Sequence, residues 1–96
     1  MIVTVFRWRL KPDTFDRFSH GWEAVTRYYL DRGSLGSSLF REKDDLVWAI
    51  ARWPDLSTRE AAFAEPAPNT LRLDMLDCIL ERIEPVELET ASNLWV

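Results

Sequence analysis

Two β-prone runs in this chain are apolar on both of their faces, and that feature limits the available folds more than any other. In Ile2–Leu10, the alternating set Ile2, Phe6, Trp8 and Leu10 stands against Val3 and Val5. In Leu46–Trp53, Leu46, Trp48 and Ile50 stand against Val47, Ala49, Ala51 and Trp53. Such strands belong in the interior of a sheet whose two faces are both covered. A chain of 96 residues forms one domain with a modest core and lacks the material to cover both faces itself. Burial of the remaining face against a second copy is the expected remedy.

The first run ends at Lys11-Pro12-Asp13, where proline stops strand pairing and Asp13 or Thr14 is placed to cap a helix. From Thr14 to Arg32 the residues Phe15, Phe18, Trp22, Val25 and Tyr29 recur at spacings of three and four. At about 100° per residue they fall within an arc of roughly 80°. Asp16, His20, Glu23, Arg27 and Asp31 fall on the opposite side, so this is an amphipathic helix, closed by Gly33 as a left-handed cap. Leu35–Arg41 reads as the second strand, Glu42–Asp45 as a hairpin turn, and Leu46–Trp53 as the third strand, ended by Pro54. Ser57 with Glu60 matches a capping box for a short helix that contains Phe63. After Pro66 and Pro68, Asn69–Leu76 reads as a second short helical piece and Cys78–Leu88 as the fourth strand.

The order strand, helix, strand, strand, helix, strand predicts an α+β, ferredoxin-like split βαβ fold (βαββαβ). Its four-stranded antiparallel sheet carries helices on one face, with strands one and three central and strand four beside strand one. The domain is expected to span residues 1–96, with 89–96 as a C-terminal tail. Leu94, Trp95 and Val96 are apolar residues at a terminus, and the tail from about Val86 is expected to cross to a partner subunit for shelter. Charge is uneven along the chain. Residues 1–41 hold seven Lys/Arg against four Asp/Glu, and residues 42–96 hold five against twelve. In the expected sheet this brings Arg7 and Arg9 of strand one near Glu81 and Glu84 of strand four.

A net charge of -4 argues against nucleic acid as a partner. No apolar stretch approaches the roughly 20 residues of a bilayer span, and the N-terminus has no signal-like apolar region. One cysteine, Cys78, excludes a disulfide within the chain and fits a reducing compartment, so a cytoplasmic protein without a membrane role is expected. A single histidine, a single cysteine and no clustered carboxylates leave no metal site in prospect. His20 is expected to face water beside Asp16, which leaves no nucleophilic triad to assemble.

Two stretches resemble the antibiotic biosynthesis monooxygenase (ABM) family of dimeric α/β barrels. They are Arg32-Gly33-Ser34-Leu35-Gly36-Ser37-Ser38-Leu39-Phe40-Arg41, and Trp48-Ala49-Ile50-Ala51-Arg52-Trp53-Pro54-Asp55 leading into Ala61-Ala62-Phe63. The resemblance matches Trp53 to a tryptophan that members place at the end of the third strand, and Gly33 and Gly36 to the glycines that bracket the start of strand two. It implies a homodimer and a small-molecule reaction that needs no cofactor. Haem-degrading members use an asparagine in strand one and a tryptophan in the second helical region, followed by a histidine. This chain has none of these at those places, so haem chemistry is not expected. The Asn/Trp pair of anthrone-oxidising members has no clear counterpart either.

The five tryptophans can line a flat aromatic site as well as fill a core. With the resemblance, they predict a cofactor-independent monooxygenase for an electron-rich small aromatic molecule, of anthrone or quinol type. The alternatives are a cyclase or isomerase in the same pocket, or a non-catalytic ligand-binding module of the same dimeric barrel. Trp22, Tyr28, Trp48 and Trp53 are the expected walls of the substrate site, and Arg52 is the expected partner of a phenolic or quinone oxygen. No general base stands out from the sequence.

Overall fold

A computed structural model describes residues 1–94. Its elements run β1 (Ile2–Leu10), α1 (Phe15–Leu30), β2 (Gly36–Arg41), β3 (Leu46–Trp53), α2 (Leu56–Phe63), α3 (Asn69–Leu76) and β4 (Ile79–Glu89). The strands form one antiparallel sheet in the order β2-β3-β1-β4, the ferredoxin-like arrangement with β1 and β3 at the centre.

Strand alternation sorts the sheet into two faces. Trp8 and Leu10 of β1 and Val47 and Ala49 of β3 point to the helical side, where Phe18 of α1 and Cys78 complete the buried core. On the other face Arg7 lies over the Trp48 ring at 5.1 Å, and Phe40, Val86 and Leu88 are left half exposed. The expected pairing of opposite charges is present at Arg9 and Glu81, 3.5 Å apart. Arg7 instead stands opposite Ile83 and stacks on tryptophan.

Helix ends and turns follow local chemistry. Gly33, at φ +98°, lets the Ser34 N–H turn back to the Tyr29 carbonyl at 3.1 Å and closes α1. Asp44 and Asp45 both adopt positive φ (62° and 60°), the geometry that matches a two-residue turn to the twist of the β2–β3 hairpin. Thr14 occupies the cap position of α1, but its hydroxyl donates to the Lys11 carbonyl and leaves the helix N–H groups uncapped. Pro85 sits in the edge strand β4, where the register jumps between Val5/Val86 and Arg7/Ile83. The missing proline N–H therefore falls in a bulge.

The cap of α2 is Asp55, not the expected Ser57. One Asp55 carboxylate oxygen accepts from the Thr58 N–H at 2.7 Å and from the Ser57 hydroxyl at 3.1 Å. Asp55 precedes the first helical residue with extended backbone, which is where a capping side chain can reach the third N–H. The Thr58 hydrogen bond, aided by Ser57, holds the Asp55 carboxyl below its ordinary range. A lowered folded pKa means that this contribution is fully present above the unfolded value of about 3.9 and is lost as pH falls through the folded value. Asp55→Ala is therefore expected to lower the melting temperature at neutral pH. The gap between the two proteins should close as thermal scans move below about pH 4. A gap that stays constant with pH would assign the effect to something other than the charged cap.

The tail departs from expectation at its start. Residues 86–89 pair with the chain's own β1, Val5↔Val86 through Ile2↔Glu89, and the Thr90 N–H donates to the Met1 carbonyl. Any crossing to a second subunit would begin beyond Thr90. Trp95 and Val96, on which that expectation chiefly rested, lie outside the described residues.

Candidate functional site

A cavity of about 410 Å³ lies between the sheet and the helices. Its floor is made of Ala49 and Ala51 of β3 and Ser37 of β2, and these short side chains leave the space that larger neighbours enclose. One wall is the apolar stripe of α1, which contributes Trp22, Val25 and Tyr29, with Thr26 beside them. At one end Tyr29, Trp53 and Phe63 meet edge to face, with ring centroids 5.2–6.1 Å apart. Such contacts hold rings more rigidly than area burial alone. Phe6 and Trp8 stack in parallel at 5.4 Å and form a further side. Arg72, Met75 and Leu76 project from a single face of α3, and Ile79 and Arg82 come from β4.

Two tyrosines fasten the proline-bearing linker between α2 and α3 to α1. The Tyr28 hydroxyl donates to the Glu65 carbonyl at 2.7 Å, and the Tyr29 hydroxyl accepts from the Ala67 N–H at 3.2 Å. The bond that Tyr29 accepts leaves its own O–H free to donate, and the residue lines the cavity. On the far side Arg17 of α1 binds both Asp74 and Asp77 at the end of α3, and this pair of hydrogen bonds raises the guanidinium pKa further. Arg59 of α2 donates to Thr4 at 3.1 Å and pairs with Glu87, which ties that helix to the sheet.

Of the five residues expected at the site, Trp22 and Trp53 line the cavity. Trp48 and Arg52 do not meet them. Both share the parity of Ile50 in β3, which places them on the opposite face of the sheet, and Trp48 there borders a shallow groove with Phe40 and Ile50. Tyr28 is turned away from the cavity, towards the linker carbonyls, with the Arg32 guanidinium 3.6 Å from its ring. Its neighbour Tyr29 takes the inward place, as its position on the Phe15–Trp22 stripe of the helical wheel could have indicated. His20 is exposed, on the charged side of α1. Among the described residues no group of three His, Cys, Asp or Glu side chains is placed to hold a metal ion. No helix among them is long and apolar enough to cross a membrane.

No protein-family model and no curated protein matches this sequence. Solved structures do match its fold. SnoaB, a cofactor-independent oxygenase from Streptomyces nogalater, superposes with a TM-score of 0.78 at 18% identity, over 97% of this chain and 95% of its own. A variant of that protein gives 0.81 at 20% identity, with the same coverage. A protein named antibiotic biosynthesis monooxygenase gives 0.72 at 17% identity, over 96% of this chain and 100% of its own. A conserved protein from Methanosarcina mazei Go1 gives 0.74 at 13% identity, over 91% and 89%. The resemblance carried by the glycine-bracketed second strand and the Trp53 corner thus extends to the whole architecture, and the chain has the ferredoxin-like fold of the antibiotic biosynthesis monooxygenases.

Proposed function

We propose that the chain is a cytoplasmic, cofactor-independent monooxygenase that oxidises an electron-rich aromatic of the anthrone or quinol type. The observation that carries this reading is the cavity walled by Trp22, Tyr29, Trp53 and Phe63. The fold shared with a protein named a cofactor-independent oxygenase supports it. The buried free thiol of Cys78 fits a reducing compartment.

An anthrone carries a CH₂ group between aromatic rings and becomes an electron-rich anion when it loses one proton. That anion passes one electron to O₂, the two radicals join in a new C–O bond, and the resulting hydroperoxide loses water to leave a carbonyl. One oxygen atom ends in the product and the other in water, so the substrate supplies the electrons and no further reductant enters. The flat rings of the cavity would orient the substrate and exclude bulk water. The unengaged Tyr29 O–H would donate to the oxygen on which negative charge develops, the role first expected of Arg52.

Oxygen uptake with a panel of hydroxyanthrones and quinols tests the proposal. Turnover above a heat-inactivated control, with one atom of labelled O₂ in the product, is the expected result, and no turnover across the panel overturns it. Product formed without oxygen would identify a cyclase or isomerase. Tryptophan quenching without any product would identify a binding module.

We also infer that two copies associate through the helix-free face of the sheet. Half-exposed Phe40, Val86 and Leu88, together with Trp48 and Ile50, form an apolar surface that one chain leaves uncovered. A stable interface would bury about 1,500 Å² in total. Light scattering should give twice the chain mass of 11.3 kDa, and Phe40→Glu should shift the protein toward monomer. A wild-type monomer at micromolar concentration would refute the association.

A further inference from the structure

We propose that the ligand of the cavity carries a fixed negative charge of the carboxylate class, held by Arg72 and Arg82. This inference rests on the cavity being an aromatic-ligand site and goes on to specify the ligand's charge. Seven of the ten arginines have partners among the described residues. Arg9, Arg17, Arg27 and Arg59 pair with carboxylates. Arg7, Arg32 and Arg41 lie over aromatic rings. The guanidinium groups of Arg52, Arg72 and Arg82 engage no described carboxylate, carbonyl or ring, and two of these three residues line the same cavity.

Their isolation is not for want of nearby acids. Asp74 and Asp77, which follow Arg72 in sequence, are both taken by Arg17. Glu81, next to Arg82, is taken by Arg9, and Glu87 by Arg59. Glu84 is exposed and lies outside the cavity lining. In an acidic chain whose second half carries a surplus of carboxylates, two guanidinium groups beside an apolar cavity are left without an internal partner. Arg72 is half-buried on α3, on the face that also presents Met75 and Leu76. Arg82 is exposed and stands on β4 opposite Trp8, whose ring forms part of the wall. A guanidinium presents planar donors that match a carboxylate, and its charge counts for more beside low-dielectric aromatic walls than in open water. The remaining polar groups of the lining, the hydroxyls of Ser34, Ser37, Thr26 and Tyr29 and the indole N–H groups of its tryptophans, are neutral, so the two arginines are the formal charges that select among ligands.

The test compares two probes of one shape, anthraquinone-2-carboxylate and anthraquinone-2-carboxamide, by quenching of tryptophan fluorescence with no turnover required. The carboxylate is expected to bind about ten- to hundredfold more tightly than the amide, the range of a charged hydrogen bond. Added salt should weaken its binding and leave that of the amide unchanged. Arg72→Gln and Arg82→Gln should each reduce the preference, and the double variant should abolish it. Equal affinity of the wild-type protein for both probes overturns the anionic-ligand proposal and leaves the aromatic cavity intact. Binding of neither probe overturns both. Because the wild-type comparison needs no variant, a substitution that fails to fold cannot rescue the idea. Oxygen uptake is scored separately, so a charge preference without turnover removes the oxygenase reading alone.

Discussion

Phe18→Ala is expected to remove about 3–5 kcal/mol of stability, the range for deleting a buried aromatic ring. Phe18 is fully buried, at 0% exposure, and its ring packs 5.5 Å from that of Trp8. Leu10, Val47, Ala49 and Cys78 complete its surroundings, so the substitution empties the contact between α1 and the two central strands. Collapse is hindered because β1 and β3 are locked by a continuous antiparallel register from Ile2↔Trp53 to Arg9↔Leu46. A domain of this length has about 5–15 kcal/mol in total, so the variant should lose more than about 10 °C of melting temperature. Urea unfolding measures the loss directly. A loss below about 1 kcal/mol would mean that α1 closes the space by sliding. Phe63→Ala is the companion measurement. That ring is 44% exposed and belongs to the aromatic end of the cavity, so stability should fall much less while ligand binding weakens.

The framework that Phe18 fastens could be read in the sequence because each element carries its own periodic or capping signal. The wheel of Phe15, Phe18, Trp22, Val25 and Tyr29 locates α1, and the doubly apolar runs locate β1 and β3 at the centre of the sheet. Asn69–Leu76 is helical over the range expected. The site was less legible, because a cavity depends on what neighbouring side chains leave unfilled. Trp48 and Trp53 look alike in composition, yet they differ by an odd number of residues along a strand and therefore face opposite sides of the sheet. Arg52 was separated from Trp53 by the same alternation. Tyr28 and Tyr29 differ by about 100° around α1, enough to turn Tyr28 to the linker carbonyls and to bring Tyr29 onto the cavity wall. The small floor of Ser37, Ala49 and Ala51 gave no signal of its own. It acquires meaning only when β2 and β3 are paired, Ser37 opposite Ala51 and Leu39 opposite Ala49. Arg72 and Arg82 lie in separate elements, and only the tertiary fold shows that the acids near them are engaged elsewhere.

Gly21→Ala should destabilise the protein by about 1–3 kcal/mol, although helix propensity alone favours alanine by about 0.8–1 kcal/mol. Gly21 is buried inside α1, where a Cβ would stand 2.6 Å from the Met75 backbone nitrogen and 3.1 Å from the Asp74 carbonyl carbon. The obstacle is backbone of α3, which cannot swing aside as a flexible side chain would. Alanine must therefore push the two helices apart. Arg17, bonded to Asp74 and Asp77, resists that movement from the same side of α1. Because Arg72, Met75 and Leu76 reach the cavity from α3, the displacement should also change the site. Binding of an aromatic probe should weaken in step with the loss of stability. Urea unfolding and fluorescence titration of the same variant decide the matter. A gain in stability would show that propensity wins and that the helices are free to separate. A loss of stability with unchanged binding would show that α3 moves without carrying the cavity wall with it.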